Sequence, residues 1–551
     1  MRKWEDVRAQ IIGRDTPVET PYGPRLLEYA DFTASGRGFR PIERYMQRLL
    51  EQYANTHTED DTTGRITSLR LAAAEELIKR RLNADEHYKI IAVGAGATGA
   101  VTRLQQILGI FLPPATRDRL HRDGALSTDD THRPVVFVGP YEHHSNEISW
   151  REGYAEVIEV DLDERGYLDI DDLSRKLTDE RWEGRRKIGS FSAASNVSGI
   201  ITDVYAVARV LHRHDALAFF DFSASAPYVR IDMRHDQESY FDGVFFSPHK
   251  YLGGPGSSGL LVIRDAIYRS DLPPSVSGGG TVVFVNARDQ DYVNDIEERE
   301  KAGTPGILQT IRAALAIDLQ HELGIERIQE REHELFSRAV ERIGRLGNVE
   351  IIGDAPPEDR LAIFSFNLRT PEGYLHPRFV VRLLNDLFGI QSRAGCSCAG
   401  PYGHRLLHID PDTSERYRRY IRSGSSGIKP GWVRLNFHYL MSDEDFDYVC
   451  SAVEFVAEHG EHFLGDYRFD LTSGAWEHRD ENRDTATVSI VEAMDVPESD
   501  PPPVSEEERR ALRARYIREA EERVTVLARG QSTGPLHTTT AELIPFVYRN
   551  G

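Results

Sequence analysis

The sequence predicts an α/β protein, with a large domain on a mostly parallel sheet followed by a smaller C-terminal α+β domain. Three observations predict it. Short apolar runs rich in Val, Ile and Phe alternate with helical patterns between residues 88 and 264. One run passes through a glycine-rich turn straight into a helix, in "YKIIAVGAGATGAVTRLQQILGIF". From residue 303 a long helical region leads into alternating strand-like and helical segments. With 551 residues and 40% hydrophobic content, the chain can bury a large core in two or more domains.

Residues 1–25 are polar, contain Pro17, Pro21 and Pro24, and read as an N-terminal arm. Residues 26–315 are assigned to the large domain. In it, "RITSLRLAAAEELIKRRL" (65–82) has helical apolar spacing and strong helix formers. The strands expected next are "YKIIAV", "RPVVFVGP", "AEVIEVDL", "KIGSFSAAS", "ALAFFDF" and "YFDGVFFS", with "GSSGLLVIR" as a return strand. A helix lies in "TDVYAVARVLHRH", and 111–133 reads as a surface insertion. Residues 316–465 form the small domain, with strands "LAIFSFNLR" and "GWVRLNFHY" and helices near 376–388 and 443–459. Residues 466–551 read as an appended segment, the linker "DVPESDPPPVSEEERR" running into a charged helix.

Composition narrows the function. The net charge is −21, and only eight of the 67 basic residues are lysines. Such a surface repels nucleic acid and anionic membranes at long range. It fits an ordinary acidic protein or one adapted to a salty cytoplasm. There is no 18-residue apolar run, so no membrane span is expected. "MRKWEDVRAQ" lacks the apolar stretch of a signal peptide, and three cysteines imply no disulfide framework. The expected compartment is the cytoplasm.

The chemistry gathers at strand ends. Lys250 follows "DGVFFSPH", just past a buried strand, where ligands collect in open α/β sheets. A lysine beside an apolar core loses preference for its charged form and becomes a nucleophile, or else it snorkels at a strand end. Asp221 ends "ALAFFD". It either caps the next turn or pairs with a cation such as a protonated pyridinium nitrogen. The loop "GAGATG" (94–99) opens a helix whose N–H groups and Thr98 hydroxyl suit a phosphate, though many tight turns look alike. "YEHHSN" (141–146) is an ordinary loop or supplies an imidazole to stack on a flat ring. "SNVSG" (195–199) offers Asn196 as a neutral hydrogen-bond partner.

These motifs, with "YADFTAS", "FFDFSAS", "SPHKYLGGPGSSGLL", "KAGTPG", "RAGCSCA" and "GWVRLNF", run in order from about Leu27 to Gly460. The chain resembles the class V aminotransferase family of fold type I pyridoxal phosphate enzymes, and within it the cysteine desulfurases and selenocysteine lyases. The resemblance implies that Lys250 carries pyridoxal 5′-phosphate as a Schiff base. By it, Thr98, Ser247 and His249 bind the phosphate, His143 stacks on the ring and Asp221 holds the pyridine nitrogen. Asn196 would lie near the ring oxygen or the substrate. Thr304 would reach the phosphate of a neighbouring subunit, which implies a homodimer with a shared site. Arg434 would grip the carboxylate of a small amino-acid substrate, with Arg393 on the same loop as the cysteines. The desulfurases normally carry glutamine three residues after the pyridine aspartate, and here that position is Ala224.

In "SRAGCSCAGPYGHRLLHI" (392–409) the resemblance places the catalytic cysteine three residues past the glycine, at Cys398. Cys396 is extra to that pattern. A thiolate at Cys398 would take sulfur as a persulfide for a sulfur-acceptor protein, or the thiol serves only structure or the substrate pocket. A third reading joins Cys396, Cys398, His404 and His408 on zinc, although their spacing fits no familiar zinc pattern. Residues 410–430 read as a lid or docking surface. Two enzyme classes therefore stand: a cysteine desulfurase-like protein, and an aminotransferase or other lyase in which Cys398 is idle. A non-catalytic binding module is the reading that Lys250, Asp221 and His143 together disfavour.

Overall fold

The computed structural model describes residues 2–56, 60–126, 132–480, 502–529, 536–539 and 543–549. The chain forms two compact units. One comprises Met1–Lys3, Thr33–Arg331 and Asp359–Leu361, and the other Trp4–Phe32, Glu332–Glu358 and Ala362–Gly551.

The first unit is built on seven strands among the described residues: β1 (Tyr88–Val93), β2 (Val135–Val138), β3 (Glu156–Glu159), β4 (Lys187–Ser192), β5 (Ala216–Asp221), β6 (Gly243–Phe246) and β7 (Gly259–Arg264). Their order is β1-β7-β6-β5-β4-β2-β3. The pairs from β6 to β3 are all parallel. The return strand β7 is antiparallel to both β1 and β6. In β2 and β6 every residue is buried, which is why these strands read as unbroken apolar runs rather than alternating ones.

Helices fill the crossovers. α1 (Thr62–Arg81) starts where Asp61 accepts the Gly64 N–H at 2.7 Å. α2 (Gly96–Ile107), α3 (His144–Arg151) and α4 (Val204–Arg213) follow β1, β2 and β4. Val101 and Leu104 of α2 and Trp150 of α3 pack with Val136, Ile188, Phe219 and Phe245 of the sheet. The long helical region expected from residue 303 is two helices, α5 (Ile307–Leu323) and α6 (Ile325–Ile343). Gly324, at φ 89°, breaks the path between them in a conformation that favours glycine. The insertion at 111–133 carries a helix, Pro114–Arg122, and its residues 127–131 lie outside the described set.

The second unit has a seven-stranded sheet among the described residues. β8 (Val349–Ile351) pairs with β9 (Ile363–Thr370), and with β10 (Gly373–Leu375), β11 (Arg393–Gly395), β12 (Trp432–Asn436), β15 (Leu536–Thr538) and β16 (Phe546–Arg549) the order is β11-β12-β9-β10-β16-β15. Helices α7 (Pro377–Phe388) and α10 (Asp443–His459) cover it, with α8 (Gly400–Leu406) and α9 (Pro411–Arg422) between them in sequence. Phe364, Phe366, Phe379, Leu383, Val449 and Val453 are in its core.

The stretch after 466 contributes a hairpin, β13 (Tyr467–Asp470) with β14 (Ala475–His478), and two more strands, β15 (Leu536–Thr538) and β16 (Phe546–Arg549). β16 joins the sheet through β10. The charged helix α11 (Glu506–Arg529) buries Arg509, Arg513, Tyr516 and Ala520. Arg513 pairs with Glu28 and with Asp445, and Arg523 with Asp466 at 2.7 Å. The Tyr516 hydroxyl accepts the Leu26 N–H at 3.1 Å. The linker residues 495–501 lie outside the described set. No described helix is long and apolar enough to cross a membrane.

Candidate active site

Because β2, β4, β5 and β6 are parallel, their C-terminal ends share one edge of the sheet. β1 ends there too, since it and β6 both run antiparallel to β7. The segments leaving those five ends carry Thr98, His143, Asn196, Asp221 and Lys250. Topology alone thus brings these five predicted residues to one edge of the sheet, while Thr304 lies outside those segments.

The turn from β1 into α2 is tight. Gly96 has φ 56°, and a Cβ there would stand 2.9 Å from Ser247 Oγ and 3.9 Å from His249 Cδ2. The Ala97 N–H at the start of α2 donates to Ser247 Oγ at 2.8 Å. Thr98 Oγ1 lies 2.7 Å from Ser145 Oγ, and the Ser145 N–H donates to His143 Nδ1 at 3.2 Å. His143 thereby caps α3. A helix N-terminus, three hydroxyls and two imidazoles form one polar group fit for an anion.

Lys250 is half-buried in a single turn, Pro248–Lys250, with its N–H on Ser247 O at 3.1 Å. The glycines around it permit close backbone approach. A Cβ on Gly254 would sit 1.9 Å from Pro248 O, and one on Gly36 would sit 1.9 Å from Tyr251 O. The Gly36 N–H donates to His249 O at 2.9 Å, and Ser35 Oγ lies 3.5 Å from His249 Nδ1. Burial, helped by the Lys250 charge, pushes the His249 imidazole down to about 4, so it is neutral near pH 7.

Asp221 closes β5, is 5% exposed, and accepts the Ser223 N–H on Oδ1 at 2.8 Å. Beside it is a residue with no role in the sequence reading. Glu142 is buried, and its oxygens take the N–H groups of Gly139 and Ser192, the Ser192 hydroxyl and the Asn146 amide, all within 3.1 Å. Burial pushes its carboxyl up to about 7, and the Asp221 charge adds to that against the pull of the hydrogen bonds. Its sequence signal, an acid right after an apolar strand, does not reveal burial. Asn196 is 9% exposed. Thr304 is exposed and accepts from Asn55 Nδ2 at 3.1 Å.

In the second unit, Arg393 on β11 and Arg434 on β12 are register partners. Both hold Asp31, Arg434 at Oδ1 and Arg393 at Oδ2, each at 3.0 Å. Asp31 is a second residue the sequence left without a role, although it lies inside "YADFTAS". Two guanidiniums thus converge on one carboxylate.

Cys398 follows in the loop between β11 and α8. The Ala399 N–H donates to Cys396 O at 3.0 Å, closing a turn. Its central residues, Ser397 and Cys398, have φ of 50° and 58°. Neither is glycine, and each left-handed residue costs about 1–2 kcal/mol. Strain of this kind gathers at functional sites. Cys396 and Cys398 are both exposed. No group of three or more His, Cys, Asp or Glu among the described residues is placed to hold a metal ion, so the zinc reading gathers no site. His404 Nδ1 instead lies 3.2 Å from Ser414 Oγ.

A family model described as aminotransferase class-V matches residues 125–449, more than half of the chain. The chain belongs to the class-V aminotransferase family. A probable cysteine desulfurase of Halalkalibacterium halodurans is 30% identical over 441 residues, covering 79% of this chain and 94% of the relative. One from Streptomyces coelicolor is 28% identical over 400 residues, covering 71% and 88%. Among solved structures, the apo cysteine desulfurase of Thermococcus onnurineus superposes with a TM-score of 0.65 at 23% identity, over 83% of this chain and 99% of that one. An Escherichia coli cysteine desulfurase gives 0.62 at 20% identity, over 83% and 99%. These likenesses establish for this class-V family member the fold type I architecture expected from its sequence. The family is one of pyridoxal phosphate enzymes, and the chain is an enzyme of that family.

Proposed function

We propose that this enzyme is a pyridoxal 5′-phosphate-dependent cysteine desulfurase, turning L-cysteine into L-alanine while its sulfur passes to Cys398. The observation that carries the reading is Cys398 itself, exposed and strained on the loop that leaves the strand of Arg393, in a chain whose relatives include probable cysteine desulfurases.

The first unit fits the cofactor. At Gly96 a side chain would fill the space against Ser247 and His249, which suits a phosphate cradle. Ala97, Thr98, Ser247 and His249 would hold the phosphate, His143 the ring face, Asn196 the ring oxygen or substrate, and Asp221 the ring nitrogen. Lys250 would anchor the cofactor covalently. Bound there, the cofactor supplies an electron sink for the α-carbon of an amino acid.

The chain's own residues do the rest. Asp221, an acid at the end of an apolar strand, would hold a proton on the ring nitrogen of the bound cofactor. Once released, the Lys250 amine moves a proton as general acid and base. Arg434 orients the substrate carboxylate with a planar fork of donors. The net change is Cys398–SH plus L-cysteine giving Cys398–S–SH plus L-alanine. A homodimer accords with the hairpin at Val282–Tyr292, where Val283, Phe284 and Val285 are 70%, 56% and 62% exposed. A second copy would cover them and bring Thr304 to the partner's phosphate.

The test is Cys398→Ala in the holoenzyme. Sulfide production should fall at least 100-fold with the cofactor still bound. Lost sulfide with unchanged keto-acid production from other amino acids would support sulfur transfer, and no effect of the substitution on any activity would overturn the reading.

A further inference from the structure

Cys396 is absorbed by neither the fold nor the proposed reaction. It is exposed, two residues before Cys398, and the carbonyl of its own residue closes the strained turn. The third cysteine, Cys450, is buried, with its thiol pushed up to about 12 by burial, so it takes no part in exchange. Two Cα steps of about 3.8 Å, bent through a turn, fall within the roughly 4.4–6.8 Å that a disulfide spans. The left-handed φ of Ser397, the residue between them, supplies that bend.

We propose that Cys396 is a resolving thiol, which releases sulfur from Cys398 as sulfide by closing a disulfide across the turn. This rests on Cys398 carrying a persulfide. The Cys396 thiolate attacks the inner sulfur of Cys398–S–SH. The Cys396–Cys398 bond forms, the S–SH bond breaks, and HS⁻ leaves with the electron pair. Cys396 and Cys398 are together oxidised by two electrons, and the outer sulfur is reduced to sulfide. A dithiol reductant returns two electrons and two protons and reopens the pair. An exposed, small-ring disulfide is the labile kind that such a reductant reaches. The turn thus gives the enzyme a release route that needs a reductant rather than a docked sulfur acceptor.

The experiment uses the full-length holoenzyme without oxygen or added thiol, given L-cysteine for one turnover and then alkylated. Trypsin cuts after Arg393 and Arg405, so the peptide Ala394–Arg405 carries both cysteines. Wild type should release one sulfide per chain and yield that peptide lighter by two hydrogens, with neither thiol alkylated. Cys396→Ser should make the same alanine, hold its peptide heavier by one sulfur, and release sulfide only when dithiothreitol is added. If wild type also keeps the extra sulfur, with the same sulfide yield as Cys396→Ser, the resolving role is overturned.

A second measurement separates this inference from the desulfurase reading. Inorganic polysulfide loads Cys398 directly, without turnover. Disulfide closure in wild type but not in Cys396→Ser would uphold the resolving thiol even in a chain that makes no alanine from cysteine. A persistent persulfide in both would sink it whatever the substrate proves to be.

Discussion

Asp31 is the counterion on which the paired arginines of the second unit depend, and Asp31→Asn removes its charge while keeping its shape. Arg434 has a side chain only 4% exposed, and Asp31 12%, so their ion pair is largely shielded. Arg393 is 50% exposed, so its share is screened and contributes about 0–1 kcal/mol. Removing the charge that faces a buried cation costs about 3–5 kcal/mol. The two guanidiniums, opposite one another in the β11–β12 ladder, then also repel. The total, near 4 kcal/mol, lowers the melting temperature of a unit this size by roughly 10 °C. Thermal unfolding of wild type, Asp31→Asn, Arg434→Gln and the double variant measures it. The cycle should show a coupling above about 1 kcal/mol. A loss under about 1 kcal/mol for Asp31→Asn, or a coupling near zero, would show that Asp31 does not hold the arginines in this way.

Two further predictions concern the first unit. Glu142 is raised from 4.5 to about 7 in the fold, so the folded state favours its protonated form. Its contribution to stability is fully present below pH 4.5 and is lost as pH rises through about 7, about 3 kcal/mol in all. Glu142→Gln should therefore lose the wild type's decline in melting temperature over that window, and parallel curves for the two proteins would show that Glu142 does not titrate there. Gly36→Ala should drive its methyl into the Tyr251 carbonyl and displace the turn that carries Lys250. The expected outcome is at least a tenfold rise in the pyridoxal phosphate concentration needed for half-saturation, followed by absorbance, and normal loading would show that the turn does not depend on this close approach.

Most of the first unit was legible because fully buried parallel strands leave continuous apolar runs, and each run ends where the chemistry begins. Lys250, Asp221 and His143 could be placed at strand ends for that reason. Glu142 and Asp31 were not legible, because burial and ion pairing between residues far apart in sequence leave no local trace. Asp31 meets Arg434 across about four hundred residues of chain. The stretch after 466 was harder still. The Tyr467–His478 hairpin and the last two strands are short, and β16 finds its partner in β10 rather than in a neighbour along the chain. The charged helix α11 packs Leu512, Tyr516, Ala520, Val524 and Leu527 on the core at helical spacing, but the charges between them mask that stripe, and its arginine pairs to Glu28, Asp445 and Asp466 join residues far apart in sequence.

The central claim is that one amine, at the end of β6, carries the reactive aldehyde of the cofactor. The chain has only eight lysines, which makes the claim sharp. The purified protein should be saturated with pyridoxal phosphate, reduced with borohydride, digested and mapped by mass. A single pyridoxyl group on Lys250 is the expected outcome. Labelling at another lysine, or none with the cofactor in excess, would contradict it.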